Sequence, residues 1–106
     1  MHAAEALLDR AADKITIAAL HPDESVVAIA SIAVAEAKIL TTEIALLAAN
    51  KLFELASTRS TLEELNLDRH WRNARTHTLH DPVRWKFHAV GNYYLNEINP
   101  PRHPWI

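Results

Sequence analysis

The feature that most restricts the fold is a run from residue 23 to residue 56 that contains neither proline nor glycine. As one α-helix this run would be about 50 Å long, which is long for a chain of 106 residues. Its apolar residues occupy nearly all sides, and Glu36, Glu43 and Asn50 recur every seven residues as a narrow polar stripe. A helix that is apolar on most sides has to be covered by other helices. The sequence therefore predicts an all-α, antiparallel helical bundle with one long central helix.

A first helix is predicted over residues 2–20, where apolar residues are spaced by three and four positions, as they are on one face of a helix. Pro22 ends this helix, and Asp23 stands where it can cap the next one. The residues predicted to face the core are Ala4, Leu8, Ala11, Ala12, Ile15 and Ala19.

A third helix is predicted to begin either at Ser60 or at Asp68 and to end near residue 79. Ser60 and Glu63 have the spacing of a capping box, in which a hydroxyl and a carboxylate satisfy the first free amide groups of a helix. The choice between the two starting points stays open at this stage.

The last helix is predicted over residues 82–97, with Asp81 as its N-cap and Pro82 in its first position. Gly91 lies inside it and costs about 1 kcal/mol relative to alanine, so we expect Gly91 to permit a close contact. The face predicted to be buried comprises Val83, Phe87, Val90, Tyr94 and Ile98.

Composition excludes several classes of function. A single glycine leaves no phosphate-binding loop or dinucleotide fingerprint, and the lack of cysteine excludes disulfides and thiolate catalysis. A net charge of −2 favours neither nucleic acid nor an anionic membrane. The uncharged run 25–35 is too short to span a bilayer, and the N-terminus carries acidic residues that a signal peptide lacks. We expect one cytoplasmic helical domain, residues 1–106, with a non-helical tail at 99–106.

Most of the chemically reactive side chains lie in the stretch 71–82. His77 and His80 are three positions apart and would share one face of a helix, where they could bind a metal ion with Asp81 or His70. The alternative is two polar histidines near the end of a helix, where a positive charge suits the helix dipole. No established metal motif supports the first interpretation, and we predict no metal site.

Other polar and aromatic residues of this region also have two interpretations. Arg72 and Arg75 could bind an anion, but a run that includes Asp68 more often forms a salt-bridged helix face. Four aromatic residues could stack on a planar ring, but such spacings are more typical of a core or a subunit interface; they are Trp71, Trp85, Tyr93 and Tyr94.

The stretch "LDRHWRNARTHTLHDPVRWKFHAVGNYYLN", residues 67–96, resembles the C-terminal end of the acyl-CoA dehydrogenase fold superfamily. It is most similar to the flavin-dependent monooxygenase branch of dibenzothiophene monooxygenase and related sulfur-acquisition oxidoreductases. The resemblance extends from Val34 to Trp105, and residues 3–56 are similar to the antiparallel helix pair that precedes this end in the same fold.

The resemblance implies that the chain is the C-terminal part of a larger enzyme. In this superfamily an N-terminal helical domain and a β-barrel precede a C-terminal helical bundle, and the subunits form a tetramer. The flavin lies between the barrel and the C-terminal helices. The barrel and the N-terminal domain are absent from this chain, so we expect it to be inactive alone and to bind no flavin tightly. Because residues 26–53 are apolar on nearly all sides, we also expect a homo-oligomer, a dimer or a tetramer.

The resemblance also helps to distinguish two kinds of reaction, dehydrogenation and oxygenation. Many acyl-CoA dehydrogenases carry a Glu-Gly-Thr motif with the catalytic glutamate, and this motif would fall at Asp81 and Pro82, where it is missing. In the monooxygenase branch, residues like His77 and His80 face flavin and substrate, and the second histidine supports the oxygenated flavin as an acid/base. The implied parent reaction uses reduced FMN from a flavin reductase to oxygenate a small organic substrate, organosulfur compounds included. An FAD-dependent acyl-CoA dehydrogenase and a non-catalytic helical oligomerisation module remain as alternatives.

Overall fold

The fold consists of helices alone over residues 1–103, the part of the chain that the computed structural model describes. The four α-helices are α1 (His2–Leu20), α2 (Glu24–Ala56), α3 (Asp68–His80) and α4 (Val83–Asn96). Two short 3-10 turns join α2 to α3, at Thr58–Thr61 and Glu63–Leu65. The prediction of an all-α bundle is confirmed.

Helix α2 is the centre of the bundle, because α1, α3 and α4 all pack against it. The molecule measures 53 × 23 × 22 Å, and its long dimension follows from the length of this helix. Asp23 caps α2 as predicted, its Oδ1 accepting a hydrogen bond of 3.0 Å from the backbone N–H of Val26. Small side chains let the partner helices approach α2 closely; its buried residues are Ala28, Ala30, Ile32, Ala33, Ala35, Ala37, Thr42 and Ala49.

The polar stripe predicted on α2 is not uniformly solvated. Glu43 and Asn50 are exposed, but Glu36 is only partly exposed. Its carboxylate pairs with Arg10 of α1 and accepts a hydrogen bond of 2.8 Å from the hydroxyl of Tyr94 on α4. This hydrogen bond raises the pKa of the Tyr94 phenol above its ordinary value. Glu36 thus joins three helices rather than facing water alone.

The face of α1 that packs on α2 is narrower than the predicted one. Ala4 and Ala11 are buried as predicted, whereas Leu8 and Ile15 are 51% and 50% exposed. The buried edge continues through Leu7, which packs against the core formed by Ala11, Ala33 and Ala37. The prediction was wrong for Leu8 and Ile15, and for Ala12 and Ala19, which are exposed as well, because α2, the helix on which α1 mainly packs, covers only part of the apolar face of α1.

The predicted core face of α4 is wrong in part. Val83 and Val90 are half-buried, but three large side chains are more than half exposed; they are Phe87, Tyr94 and Ile98. The buried residues of α4 are Lys86 and Ala89 instead. Lys86 can occupy a buried position because its charge is paired with Asp81 inside the fold. Hydrophobic periodicity does not predict a buried lysine, so the face was predicted wrongly.

Two local predictions are also corrected. Ser60 starts no α-helix: it lies in a 3-10 turn, and its Oγ donates to the carbonyl oxygens of Ser57 and Phe53, at 2.6 and 3.3 Å. The third helix begins at Asp68, the second of the two predicted starts. A Cβ placed on Gly91 would meet no atom within 4 Å, so the predicted close contact does not occur among the described residues.

Residues 99–103 belong to no helix or strand, and the rest of the predicted tail, residues 104–106, lies outside the described residues. Helix α2 is long and apolar enough to cross a membrane by length and composition, a property shared by the core helix of a soluble bundle. In this fold α2 is the helix on which all the others pack.

Candidate active site

A cavity of about 600 Å³ lies where α3 ends and α4 begins. One wall comes from the junction of the two helices, a second from one face of α4, and a third from the segment after α4. The volume lies in the range of small-molecule binding sites, about 300–1,000 Å³. The residues that line it are His80, Asp81, Pro82, Trp85, His88, Ala89, Asn92, Ile98, Asn99, Pro100, Pro101 and His103.

The structure separates the two histidines that the sequence presents as a pair. His80 is the last residue of α3, and its side chain lines the cavity. His77 is exposed one turn earlier and is not among the described residues that line the cavity. Of the two, His80 is therefore the one placed to contact a bound molecule.

Two further histidines of the cavity were missed by the sequence analysis. His88 lies on α4, with the ring of Trp85 edge-on to it at 6.0 Å between centroids. The side-chain nitrogen of Asn92 is 3.4 Å from each ring nitrogen of His88. His103 comes from the segment after α4. The spacing of Trp85, His88 and Asn92 by three and four positions is the signal that could have identified this polar face of α4.

Asp81 forms an ion cluster with two lysines, one on α2 and one on α4. Its Oδ2 binds the ammonium group of Lys38, and its Oδ1 lies 3.4 Å from Nζ of Lys86. The side chains are largely withdrawn from water, being 18% exposed for Lys38, 25% for Asp81 and 5% for Lys86. The hydrogen bond from Lys38, supported by both positive charges, holds the pKa of Asp81 below its ordinary value despite partial burial.

This cluster corrects the predicted role of Asp81. The sequence assigned Asp81 to the N-cap of the last helix and Pro82 to its first position. In the structure Asp81 is the residue after α3, Pro82 occupies the N-cap, and no side chain caps α4. The local pattern is correct for a helix start, but the carboxylate is used for partners distant in sequence, Lys38 being 43 positions away.

The other candidate sites of the sequence analysis gain little support. Within residues 1–103, no group of three or more histidine, cysteine, aspartate or glutamate residues could hold a metal ion, so His77 and His80 do not converge with Asp81 or His70 on one. Arg72 forms an exposed salt bridge of 3.0 Å with Asp68, as expected for a salt-bridged helix face.

The cavity suits the reactive end of a flavin site but not the flavin phosphate. Trp85 and three prolines supply apolar walls, and the histidine rings supply proton donors or acceptors. The only glycine is inside α4, so the chain offers no glycine-rich cradle for a phosphate group. The residues present therefore fit the part of such a site that holds a ring, and not the part that holds a phosphate.

Comparison with known proteins shows the family. The model of the family described as "Acyl-CoA dehydrogenase, C-terminal domain" matches residues 1–85, which include α1 to α3, His80 and Asp81. The chain belongs to this family. The resemblance predicted from the sequence is confirmed.

Individual relatives are named as monooxygenases. A probable FMNH2-dependent monooxygenase, SfnC, of Pseudomonas putida is 43% identical over 70 residues, 66% of this chain and 18% of its own length. Dibenzothiophene monooxygenase of Mycolicibacterium goodii is 48% identical over 63 residues, 59% of this chain and 15% of its own length. The chain thus spans less than a fifth of these relatives.

Two solved structures have a similar fold over nearly the whole of this chain. Methanesulfinate monooxygenase MsuC from Pseudomonas fluorescens matches with a TM-score of 0.89 and 36% identity, covering 99% of this chain and 28% of that one. FMN-bound TdsC from Paenibacillus sp. A11-2 matches with a TM-score of 0.67 and 28% identity, covering 98% of this chain and 30% of that one. None of the relatives named here is described as a membrane protein.

Proposed function

We propose that this chain is the C-terminal helical part of a reduced-FMN-dependent monooxygenase that oxygenates a small organosulfur compound. The main support is the agreement with methanesulfinate monooxygenase over 99% of the chain, at a TM-score of 0.89. The position of His80 in the cavity supplies the chemical part of the proposal. Reduced flavin comes from a separate reductase, and the cytoplasm is the proposed location.

His80 is the proposed acid/base residue, with His77 second in importance. An imidazole can give or take a proton near neutral pH, and His80 is one of the residues that line the cavity. Apolar residues, among them Trp85 and Pro82, lie beside it in the cavity lining. The flavin, when bound, supplies the oxygen chemistry, while this chain supplies position and proton transfer.

Different observations count against the two alternatives, a dehydrogenase and a non-catalytic assembly module. An acyl-CoA dehydrogenase would need a carboxylate base, but Asp81 is held between Lys38 and Lys86, and the relatives named here are monooxygenases. A helical assembly module without catalytic function would have no use for a cavity that collects polar side chains from three elements. The monooxygenase proposal accounts for both the cavity and its relatives.

The complete monooxygenase, meaning this chain together with its barrel and N-terminal helical domain, tests the proposal. Supplied with a flavin reductase, NADH and oxygen, the complete protein should oxygenate methanesulfinate or dibenzothiophene with FMN, as measured by mass spectrometry with ¹⁸O₂. Reduction of the bound flavin by an acyl-CoA in the absence of oxygen would instead establish the dehydrogenase.

Alone, the chain should bind FMN and FAD weakly, with dissociation constants above about 1 μM, which corresponds to about −8 kcal/mol. The reason is that the cavity supplies one wall and the chain has no glycine-rich phosphate site. Titration of each flavin, followed by its fluorescence, measures the constants, with riboflavin as a control that lacks the phosphate. Tighter binding of FMN than of riboflavin would mean that the chain holds a phosphate site after all.

The chain should also form a symmetric dimer or tetramer. Large apolar side chains remain exposed on two helices that pack together, among them Leu8, Ile15 and Ile17 on α1 and Leu47 on α2. Exposed apolar patches of this kind mark association sites, and closed symmetric assemblies are the commonest outcome. Sedimentation velocity at micromolar concentration measures the mass; a stable monomer there would contradict the proposal. Replacing Ile15 with glutamate should shift the assembly towards monomer.

A further inference from the structure

We propose that Lys38, acting through Asp81, is a positioning residue for His80. This inference rests on the proposed catalytic role of His80. The cluster of Lys38, Asp81 and Lys86 joins three elements at one point, because Lys38 lies on α2, Asp81 follows α3, and Lys86 lies on α4. His80 and Asp81 are consecutive residues, and both line the cavity.

The backbone leaves helical geometry at the junction between α3 and α4. Asp81 leaves the helix with φ −119° and ψ 93°, and Pro82 continues in extended geometry with φ −60° and ψ 116°. No side chain caps the start of α4. Both helices pack mainly against α2 rather than on each other. The ion pair between Asp81 and Lys38 therefore ties the residue next to His80 directly to α2.

The energetics favour a geometric role over a stabilising one. Ion pairs that are withdrawn from water contribute little net stability, because desolvation of the charges offsets their attraction. A well-packed apolar residue at Lys86, which is 4% exposed, would serve the fold as well. What an apolar residue cannot do is hold a carboxylate at a defined point by charged hydrogen bonds, which have both a preferred distance and a preferred direction.

The position of His80 at the end of α3 makes a nearby fixed point important for proton transfer. A displacement of about 1 Å of a group that acts on a reacting atom can lower the rate by about 10²-fold. His80 is the last residue of α3, the position of a helix most prone to fraying. A fixed point at the next residue limits that motion, and Lys38 supplies it from the middle of α2, the central helix of the bundle.

The test compares Lys38→Met with Lys38→Arg and with Arg10→Met. Lys38→Met removes the ammonium group and leaves Asp81 its contact with Lys86. Arg10→Met is the matched control, because it removes a cation from Glu36, which keeps its hydrogen bond from Tyr94. Both methionine variants lose one ion pair between helices, but only the pair lost in Lys38→Met includes Asp81, the residue next to His80 in the sequence.

In this chain, Lys38→Met should shift and broaden the ring signals of His80 in ¹H–¹³C NMR spectra, whereas Arg10→Met should leave them unchanged. In the complete monooxygenase, Lys38→Met should lower kcat for product by about 10- to 100-fold with KM nearly unchanged. Lys38→Arg should restore most of that loss, because a guanidinium group also binds a carboxylate.

Two results would overturn the inference. One is a His80 spectrum that responds equally to Lys38→Met and Arg10→Met. The other is product formation that survives Lys38→Met while His80→Ala abolishes it, since His80 would then be catalytic without needing Lys38. If His80→Ala leaves product formation intact, the proposed role of His80 fails, and the NMR comparison still decides whether Lys38 positions its ring.

Discussion

Replacing His80 with alanine in the complete monooxygenase should lower the rate of product formation by about 10²- to 10⁴-fold, the usual contribution of an acid/base residue. Consumption of reduced flavin should continue, because reduced flavin reacts with oxygen without this side chain. The electrons should then appear as hydrogen peroxide instead of oxygenated product. The ratio of product formed to reduced flavin consumed is the quantity to measure, together with hydrogen peroxide and the melting temperature.

His70→Ala is the control for this experiment. It removes an exposed histidine from the same helix, away from the cavity, and should leave the ratio of product to flavin unchanged. His77→Ala should have an intermediate effect, since His77 is one turn from His80 but does not line the cavity. If His80→Ala lowers the melting temperature and yet keeps the ratio, the side chain only packs against the helix junction and the catalytic assignment is wrong.

Replacing Asp81 with asparagine should lower the free energy of unfolding of the chain by about 2–3 kcal/mol at neutral pH. Removing one partner of a buried ion pair typically costs about 3–5 kcal/mol, and the partial exposure of Asp81 reduces that figure. The loss arises because Lys38 and Lys86, with side chains 18% and 5% exposed, both lose the negative charge that offsets the desolvation of their own charges. Denaturant unfolding at a fixed protein concentration measures the difference, which keeps any association of chains constant.

The pH dependence of this difference has a definite sign. The pKa of Asp81 lies below its ordinary value of 3.8 in the folded chain, so the stabilising contribution is fully present above that value. It is lost as the pH falls through the lower pKa of the folded state. The difference in the free energy of unfolding between the original chain and Asp81→Asn should therefore be constant from pH 5 to pH 8 and disappear in stronger acid.

Asp81→Asn also distinguishes a role of Asp81 in the ion cluster from a role in helix capping. Asparagine caps helices about as well as aspartate, so a capping role predicts almost no change, contrary to the loss expected here. Adding Lys86→Met to Asp81→Asn should recover part of the stability, because the buried charge is gone. Glu43→Gln, at an exposed position of α2, is the control and should stay within about 0.5 kcal/mol of the original chain.

The helices of this chain were predictable because the signals for them are local. Pro22 and Asp23 mark the end of one helix and the start of the next, and the absence of proline and glycine after them predicts α2 along its whole length. The reactive stretch from Trp71 to Pro82 and its resemblance to the monooxygenases were equally visible, because a motif is a property of consecutive residues.

The buried faces and the partners of Asp81 depended on the tertiary structure. Periodicity shows that Leu8 and Phe87 lie on apolar faces, but not how much of each face a neighbouring helix covers, and both are half exposed. Lys38 meets Asp81 across 43 positions, a contact that depends on how α3 and α4 sit on α2. The same packing brings His80 into the cavity and leaves His77 outside it, because the cavity begins where α3 ends and His77 lies about one turn before that end.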